Sequence, residues 1–522
     1  EYGAEMWVPG ITWDLSQKFG DEFIEPIDLV INQDTVKWVS TFNEVNDIRS
    51  VSPTHDGGSI MISTYTDENS DRFMWLAKLD AYGDVDWTKN LGYYDPVTQS
   101  YSFEGYDVIQ TLDGGYAIIG SWLNGTGSER NNIQFVRTDA NGNEVDTEAW
   151  GYSSYGSVGK SIIQTDDGGF VIAAQQDNSS IVVFKTDSTL ESCNNIFNNC
   201  MHDGGGTVQK WGLQISFSST ITVEEVIQTP DGGYAVLASN MWIGNNHSGI
   251  IIKISSIGSI EWQRSYNTGY RTVFYGLDNT HDGGFIVSGY ERATSSSFPY
   301  DESLFLKLDG DGNIIWEKTF NTNRNDWPIN IKTLEDGTYI SAVKYYGEME
   351  GSMYSSDIRI VNIDADGDLL WSFDYTGEFE RDIRANRIVI APDKNFLIVG
   401  SQENSEGSGN YEGWATKLGI EAIITPNPDD PDSPNQNNPP IVSSFVSTSV
   451  EDVPSTIDLT SQDADNDPIS YTILDGPFHG ELAFSSDASV AYSPYNNFFG
   501  SDSFSYVAYD GTDYSEPATV TL

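Results

Sequence analysis

One short run, an aspartate and two glycines followed by an apolar, β-branched stretch, is written five times in this chain. It reads "TLDGGYAIIGS" at 111–121, and returns as "TDDGGFVIAAQ", "TPDGGYAVLAS" and "THDGGFIVSGY". Asp56, Asp113, Asp167, Asp231 and Asp282 each precede two glycines, and degenerate copies follow, "EDGTY" at Asp336 and "PDKNF" at Asp393. The seven copies stand 51 to 64 residues apart. A period of that size points to a solenoid or a propeller, and it restricts the fold more than any composition does.

The chemistry of the run is that of a hairpin tip. Aspartate caps a tight turn by accepting from backbone amides just ahead of it. Two glycines supply the positive φ that a two-residue hairpin turn needs. An apolar segment such as "YDVIQT" or "KSIIQT" precedes each turn and a buried strand follows it.

Two further signals keep step. One is a strand ending in a basic or polar residue and Asp: "LAKLD", "FVRTD", "VFKTD", "IIKIS", "FLKLD", "IVNID" and "WATKLG". The other is a turn followed by tryptophan, as in "AYGDVDW" (Trp87), "SIGSIEW" (Trp262), "GDGNIIW" (Trp316) and "ADGDLLW" (Trp371), with looser versions at Trp150 and Trp211. Each unit therefore holds about four short strands, which is one propeller blade. The seventh unit has no Trp strand after "WATKLG", whereas "IDLVINQDTVKWVSTF" carries Trp38 ahead of the first unit. A ring closed by its N-terminal strand explains this split, because closure removes the sheet edges. The sequence thus predicts an all-β chain with a seven-bladed β-propeller over 28–419, its N-terminal strand closing the last blade. Residues 1–27 form an extension. Eight blades, with 1–27 supplying extra strands, is the alternative.

Residues 420–438 are rich in Pro, Asp and Asn, the composition of an extended linker. From 439 to 522 the text changes to about seven short alternating strands, a C-terminal β-sandwich. Its "NNPP", "EDVPSTIDLTSQDADNDPISYTI", "GPFHGEL", "YSPYNNFFGSDSFSYVAYDG" and "ATVTL" resemble the bacterial cadherin-like and immunoglobulin-like modules carried in tandem on secreted adhesins. The propeller repeats resemble those of secreted bacterial surface proteins, and "DGNIIW" is similar to turns of quinoprotein-type propellers. The resemblance implies an extracellular or cell-surface setting, with a longer multidomain chain or a surface assembly as one context. An opening "EYGAEMWVPG" without initiator Met fits a processed signal peptide.

Composition narrows the partners. The formal net charge is −52, from 78 acidic and 26 basic residues. Such a surface repels nucleic acid and anionic lipid. No run is long and apolar enough for a membrane helix. Cys193 and Cys200, in "ESCNNIFNNC", are expected to form a local disulfide in an oxidising compartment.

Candidate sites follow. "DADND" sets Asp463, Asp465 and Asp467 at alternate positions, a spacing suited to Ca²⁺, and Glu451 and Asp510 are candidates to join them. Cadherin-like modules often use such acids for calcium, so the resemblance implies it as well. "DGDGN" and "DADGD" share the spacing, but Phe320 and Tyr375 stand where an EF-hand needs its twelfth-position carboxylate, so both read as hairpin turns. The recurring Trp residues read as packing between blades. Trp122, Trp242 and Trp327 fall outside that register and are the candidate ligand contacts. The Gly312 to Trp316 spacing does not fit a sialidase Asp box, and no HExxH, GxSxG or P-loop occurs. The first reading is a binding or adhesion protein, with the propeller as recognition head for a polysaccharide or surface protein and the module as a calcium-stiffened spacer. The alternatives are a secreted carbohydrate-active enzyme, with its site on the propeller face, and a structural component of a surface layer or filament.

Overall fold

The computed structural model describes residues 36–92, 102–124, 130–151, 156–190, 200–202, 210–241, 247–268, 271–292, 300–320, 325–346, 356–375, 382–405, 409–419, 440–463, 468–486, 488–509, 514–515 and 517–522. The chain divides into two compact units, Glu1–Thr425 and Pro426–Leu522. All described elements are strands.

In the first unit seven antiparallel sheets of four strands follow one another as blades. Blade 1 comprises Ser50–Pro53, Ser59–Thr66, Arg72–Leu79 and Val85–Leu91. Blade 3 carries a fifth, edge strand, Cys200–His202. Blade 7 takes its outer strand from the N-terminal side: Val36–Phe42 pairs with Tyr411–Leu418, Trp38 opposite Lys417. The ring closes as the split unit requires. Strands between neighbouring blades are buried on both faces, and outer strands alternate, as in the exposed and half-buried pattern of Ile260–Tyr266. Seven hydrophobic clusters fill the seven gaps between blades. The gap between blades 7 and 1, with Phe42, Trp75, Leu397 and Ala415, is packed like the others.

The DGG turn differs from its sequence reading. It is a three-residue loop: Gly57 N donates to Thr54 O, and Thr54 N to Gly58 O. Only the first glycine is left-handed, Gly57 at φ +83°. The second is needed for space, since a Cβ on Gly58 would sit 2.1 Å from the carbonyl oxygen of Leu79. The aspartate accepts from the turn amide, Gly58 N to Asp56 Oδ1 at 3.1 Å, and also receives a lysine from the third strand. Lys78–Asp56, Lys185–Asp167, Lys253–Asp231, Lys307–Asp282 and Lys417–Asp393 lie at 2.6 to 2.9 Å. This is why the basic residue of "LAKLD" keeps step with DGG. Burial opposes ionisation of Asp56, but bonds from Thr54, Lys78 and Gly58 outweigh it and hold the carboxyl at about 2. In blade 6, Asn362 stands in the lysine's place and donates to Thr338 Oγ1 at 3.0 Å.

The outer-strand tryptophans pack onto the next blade. A Cβ on Gly83, Gly142, Gly258, Gly312 or Gly367 would strike Trp38, Trp87, Trp211, Trp262 or Trp316, each from the preceding blade. The opposite side of the slot is the aromatic after DGG: Trp211 lies 5.7 Å from Tyr234, and Trp262 5.9 Å from Phe285. The indole N–H of Trp316 donates to Ala365 O at 2.9 Å.

The second unit forms sheets whose inward faces share one core, with Ile457, Val490, Tyr492, Phe504, Tyr506 and Val520. Buried Asp502 accepts from Phe478 N, His479 N and Tyr492 Oη, so it ties "GPFHG" to "FFGSD".

Gly114 and Gly258 separate backbone strain from packing. Nothing lies within 4 Å of a Cβ on Gly114 (φ +84°), whereas one on Gly258 (φ +82°) lies 2.3 Å from Trp211. Gly114→Ala is expected to cost about 1 kcal/mol from its left-handed backbone alone. Gly258→Ala is expected to cost roughly 3 kcal/mol or more, because overpacking adds to strain. Urea unfolding of both variants measures this; equal losses would remove the tryptophan slot as a determinant.

Candidate functional site

The innermost strand of every blade runs down the axis toward its DGG turn. In six blades it carries a β-bulge: the register skips Tyr106, Lys160, Glu224, Tyr275, Ile329 and Asn386. A bulge leaves one residue unpaired and turns its side chain aside. Each of these residues stands seven positions before its motif aspartate, and in blade 1 that position is Arg49, just ahead of the strand Ser50–Pro53. All seven line a single cup of about 440 Å³ on the axis. Asp47, Trp327, Lys344 and Arg384 line it nearer the strand starts, so the cup opens at that end of the ring.

The floor is built by the next residue along each strand. Glu225, buried, is reached by Arg387 Nη2 at 2.9 Å, Lys332 Nζ at 3.5 Å, Asn330 Nδ2 at 3.3 Å and Leu277 N at 3.3 Å. One carboxylate of blade 4 thus joins blades 5, 6 and 7. On the other side, Asp107 of blade 2 accepts from Ser50 Oγ at 2.7 Å and from Ile162 N at 3.0 Å, joining blades 1 and 3. Asn386 Nδ2 donates to Ile48 O at 2.8 Å across the closing gap.

Charge in the cup is opposite to that of the chain. Five cations, Arg49, Lys160, Lys344, Arg384 and Arg387, face two acids, Asp47 and Glu224. Arg49 and Lys160 share one aromatic ring: their cationic ends lie 4.7 and 3.9 Å from the centroid of Tyr106. Lys344 Nζ lies 5.4 Å from the Trp327 ring centroid. Burial, then the Arg384 charge, pushes Lys344 down to about 8, and burial lowers Lys160. The adjacent glutamates part company. Burial raises Glu224 to about 7 against the pull of Thr222 and Lys160. Glu225 is lowered, because Lys332 and Arg387 overcome its burial. Perturbed groups gathered in a concave site mark it as the candidate.

The sequence candidates fall in several places. Trp327 lines the cup, donating its indole N–H to Asp301 Oδ2 at 3.0 Å. Trp122 instead stacks on Phe103 at 6.3 Å and packs in the gap between blades 1 and 2. Trp242 lies outside the described residues. So do Asp465, Asp467 and Asp510, while Glu451 is exposed in a turn and Asp463 is half-buried. Among the described residues no three His, Cys, Asp or Glu side chains gather as a metal site. In "DGDGN" the Asp309 carboxylate closes the turn, accepting from Asp311 N at 3.0 Å, Asn313 N at 2.8 Å and Asn313 Nδ2 at 2.8 Å. Cys193 is outside the described residues, and of Cys200 only the strand position is described, so the expected disulfide is outside them too. The cup residues were missed by sequence reasoning. Their one signal is the fixed offset from DGG, at which residue type varies freely.

Residues 437–522 match the family model described as a bacterial Ig domain, and such domains are common in extracellular and surface proteins. No curated protein matches the chain. Solved structures similar to it include Drosophila Semaphorin 2a, at 7% identity over 98% of this chain and 99% of that one, TM-score 0.43. A fungal alcohol oxidase of the AA5 family, in complex with copper, is similar at 12% identity over 94% and 100%, TM-score 0.42. The endo-arabinase from Bacteroides thetaiotaomicron VPI-5482 is similar at 10% identity over 73% and 98%, TM-score 0.30. At these values none of them bears on activity.

The two glutamates give opposite expectations. Glu225→Gln removes the partner of Arg387 and Lys332, and is expected to cost about 3–5 kcal/mol. Glu224 has a folded value near 7 against an ordinary 4.5. Its protonated form therefore favours folding below 4.5, and that contribution is lost as pH climbs through about 7. Glu224→Gln should leave stability unchanged at pH 4 and raise it at pH 8. Chemical denaturation at both pH values measures this; a Glu224→Gln loss at pH 8 would contradict it.

Proposed function

We propose that this chain is an extracellular binding protein whose propeller receives a ligand in the axial cup, with the bacterial Ig domain as a spacer. One observation carries the reading. At packing positions the blades repeat themselves: tryptophan on glycine, lysine on aspartate. At the cup position they do not, and Arg49, Tyr106, Lys160, Glu224, Tyr275, Ile329 and Asn386 span six residue types. Packing demands sameness in a repeat, so variety at one inward-facing position fits recognition of an asymmetric ligand.

A second reading has one observation behind it. The Glu224 carboxyl, pushed up to about 7, is placed to transfer a proton near neutral pH, as a glycan-cleaving enzyme requires. Passing labelled polysaccharides over the wild type and Trp327→Ala, and reading retention and product size together, separates the two. Retained, intact polymer that is lost in Trp327→Ala supports binding in the cup. Shortened polymer, abolished by Glu224→Gln, supports the enzyme. Retention unchanged in Trp327→Ala rules out the cup as the site.

Calcium in the Ig domain is likewise proposed, on the alternate spacing of Asp463, Asp465 and Asp467, with Glu451 and Asp510 as candidates to join them. A chelator should lower the melting temperature of the 437–522 unit and leave the propeller transition in place. Identical transitions with and without chelator would end the proposal.

A further inference from the structure

The reading of the cup as a ligand site leaves the ligand's chemistry open, and the cup's own groups restrict it. Five of the chain's 26 basic residues are gathered there in a protein of formal charge −52. Long-range repulsion from the acidic surface does not decide the matter, because it is screened beyond about 8 Å at physiological salt. The local cations do. Arg49 and Lys160 crowd one tyrosine ring; Arg49 Nη1 has the Glu104 carboxylate at 3.9 Å, and among the described residues Lys160 forms no ion pair. An anion placed between them relieves their mutual repulsion and makes charge-assisted hydrogen bonds.

A bare anion does not use the floor. Asn330 is 3% exposed, and its Oδ1 has no hydrogen-bond partner among the described residues. The neighbouring Arg387 Nε is likewise without one. A buried acceptor and a buried donor, on two lining side chains that share Glu225, call for a group that both donates and accepts, which is a hydroxyl. The aromatic faces of Trp327 and Tyr275 on the wall suit the C–H face of a sugar ring.

We propose that the axial cup binds a hydroxylated carboxylate, namely a uronic-acid unit of an acidic glycan, with its carboxylate between Arg49 and Lys160 and a hydroxyl on Asn330 and Arg387. This rests on the cup being the ligand site.

Titration calorimetry of the full chain with digalacturonate, its dimethyl ester and sodium sulfate tests it. Digalacturonate should bind, and the ester about tenfold or more weaker, roughly the worth of one lost charged contact. Lys160→Gln should weaken the acid by about tenfold and the ester by less than about twofold. A melting curve confirms that this variant folds. Equal binding of acid and ester overturns the anion, while a Trp327→Ala loss for both keeps the cup as a site. Sulfate displacing digalacturonate at equal concentration overturns the hydroxyl component. No binding of any probe, together with polysaccharide retention that still depends on Trp327, overturns the uronate class alone. Retention indifferent to both variants removes the cup reading itself.

Discussion

Five blades receive a tryptophan from the blade before them, and the glycine that takes it is the fixed point of the architecture. The indole needs a flat, side-chain-free floor, which the left-handed glycine of the third-to-fourth-strand turn supplies. It also needs a wall, which the aromatic after DGG supplies. Two motifs that seem independent along the chain are therefore two halves of one contact between neighbouring blades. Burying an indole in such a slot removes on the order of 200 Å² from water, and the seven gaps repeat some form of it. The closing gap depends on it as well, since Trp38 on Gly83 joins the first strand of the chain to blade 1.

Once the outer contacts fix blade spacing, the innermost strands have no freedom left. They converge on the axis, and in six of the seven a bulge at a common register sets one residue aside to line the cup. Behind that ring the axis is sealed by charge rather than by apolar packing. Glu225 holds Arg387 and Lys332, and Asp107 links the blades on either side of it. A buried carboxylate with two cations and two N–H donors is tolerable where an unpaired one is not. The arrangement gives the cup a polar floor of mutually bonded groups.

The lysine–aspartate pairs at the DGG turns serve a different end. They anchor the first hairpin of a blade to its third strand; blade 6 keeps Asp336, but Asn362 replaces the lysine and donates to Thr338, which stands in place of the second glycine. Blade 7 keeps its lysine, Lys417, although its turn reads "PDKNF". There Lys394 adopts the left-handed φ of +65° that glycine takes elsewhere.

Much of this was legible in the sequence. The DGG spacing determined the blades, the orphan Trp38 strand determined closure, and the composition break near 420–438 separated the two units. These are local and periodic demands, which a repeat must write out every time. The character of the DGG turn was only half legible, because the second glycine answers to a carbonyl oxygen at the end of the blade's third strand rather than to its own φ. The cup was not legible. Trp327 was singled out for breaking the tryptophan register, yet what places it there is an inner-strand position shared with Asp47 and Arg384. Tyr106, Lys160 and Glu224 carry no common residue type, and only ring closure brings them within one cavity. Sequence determines what each blade must share; the meeting of seven side chains of six types at the axis belongs to the tertiary structure alone, because no blade contains more than one of them.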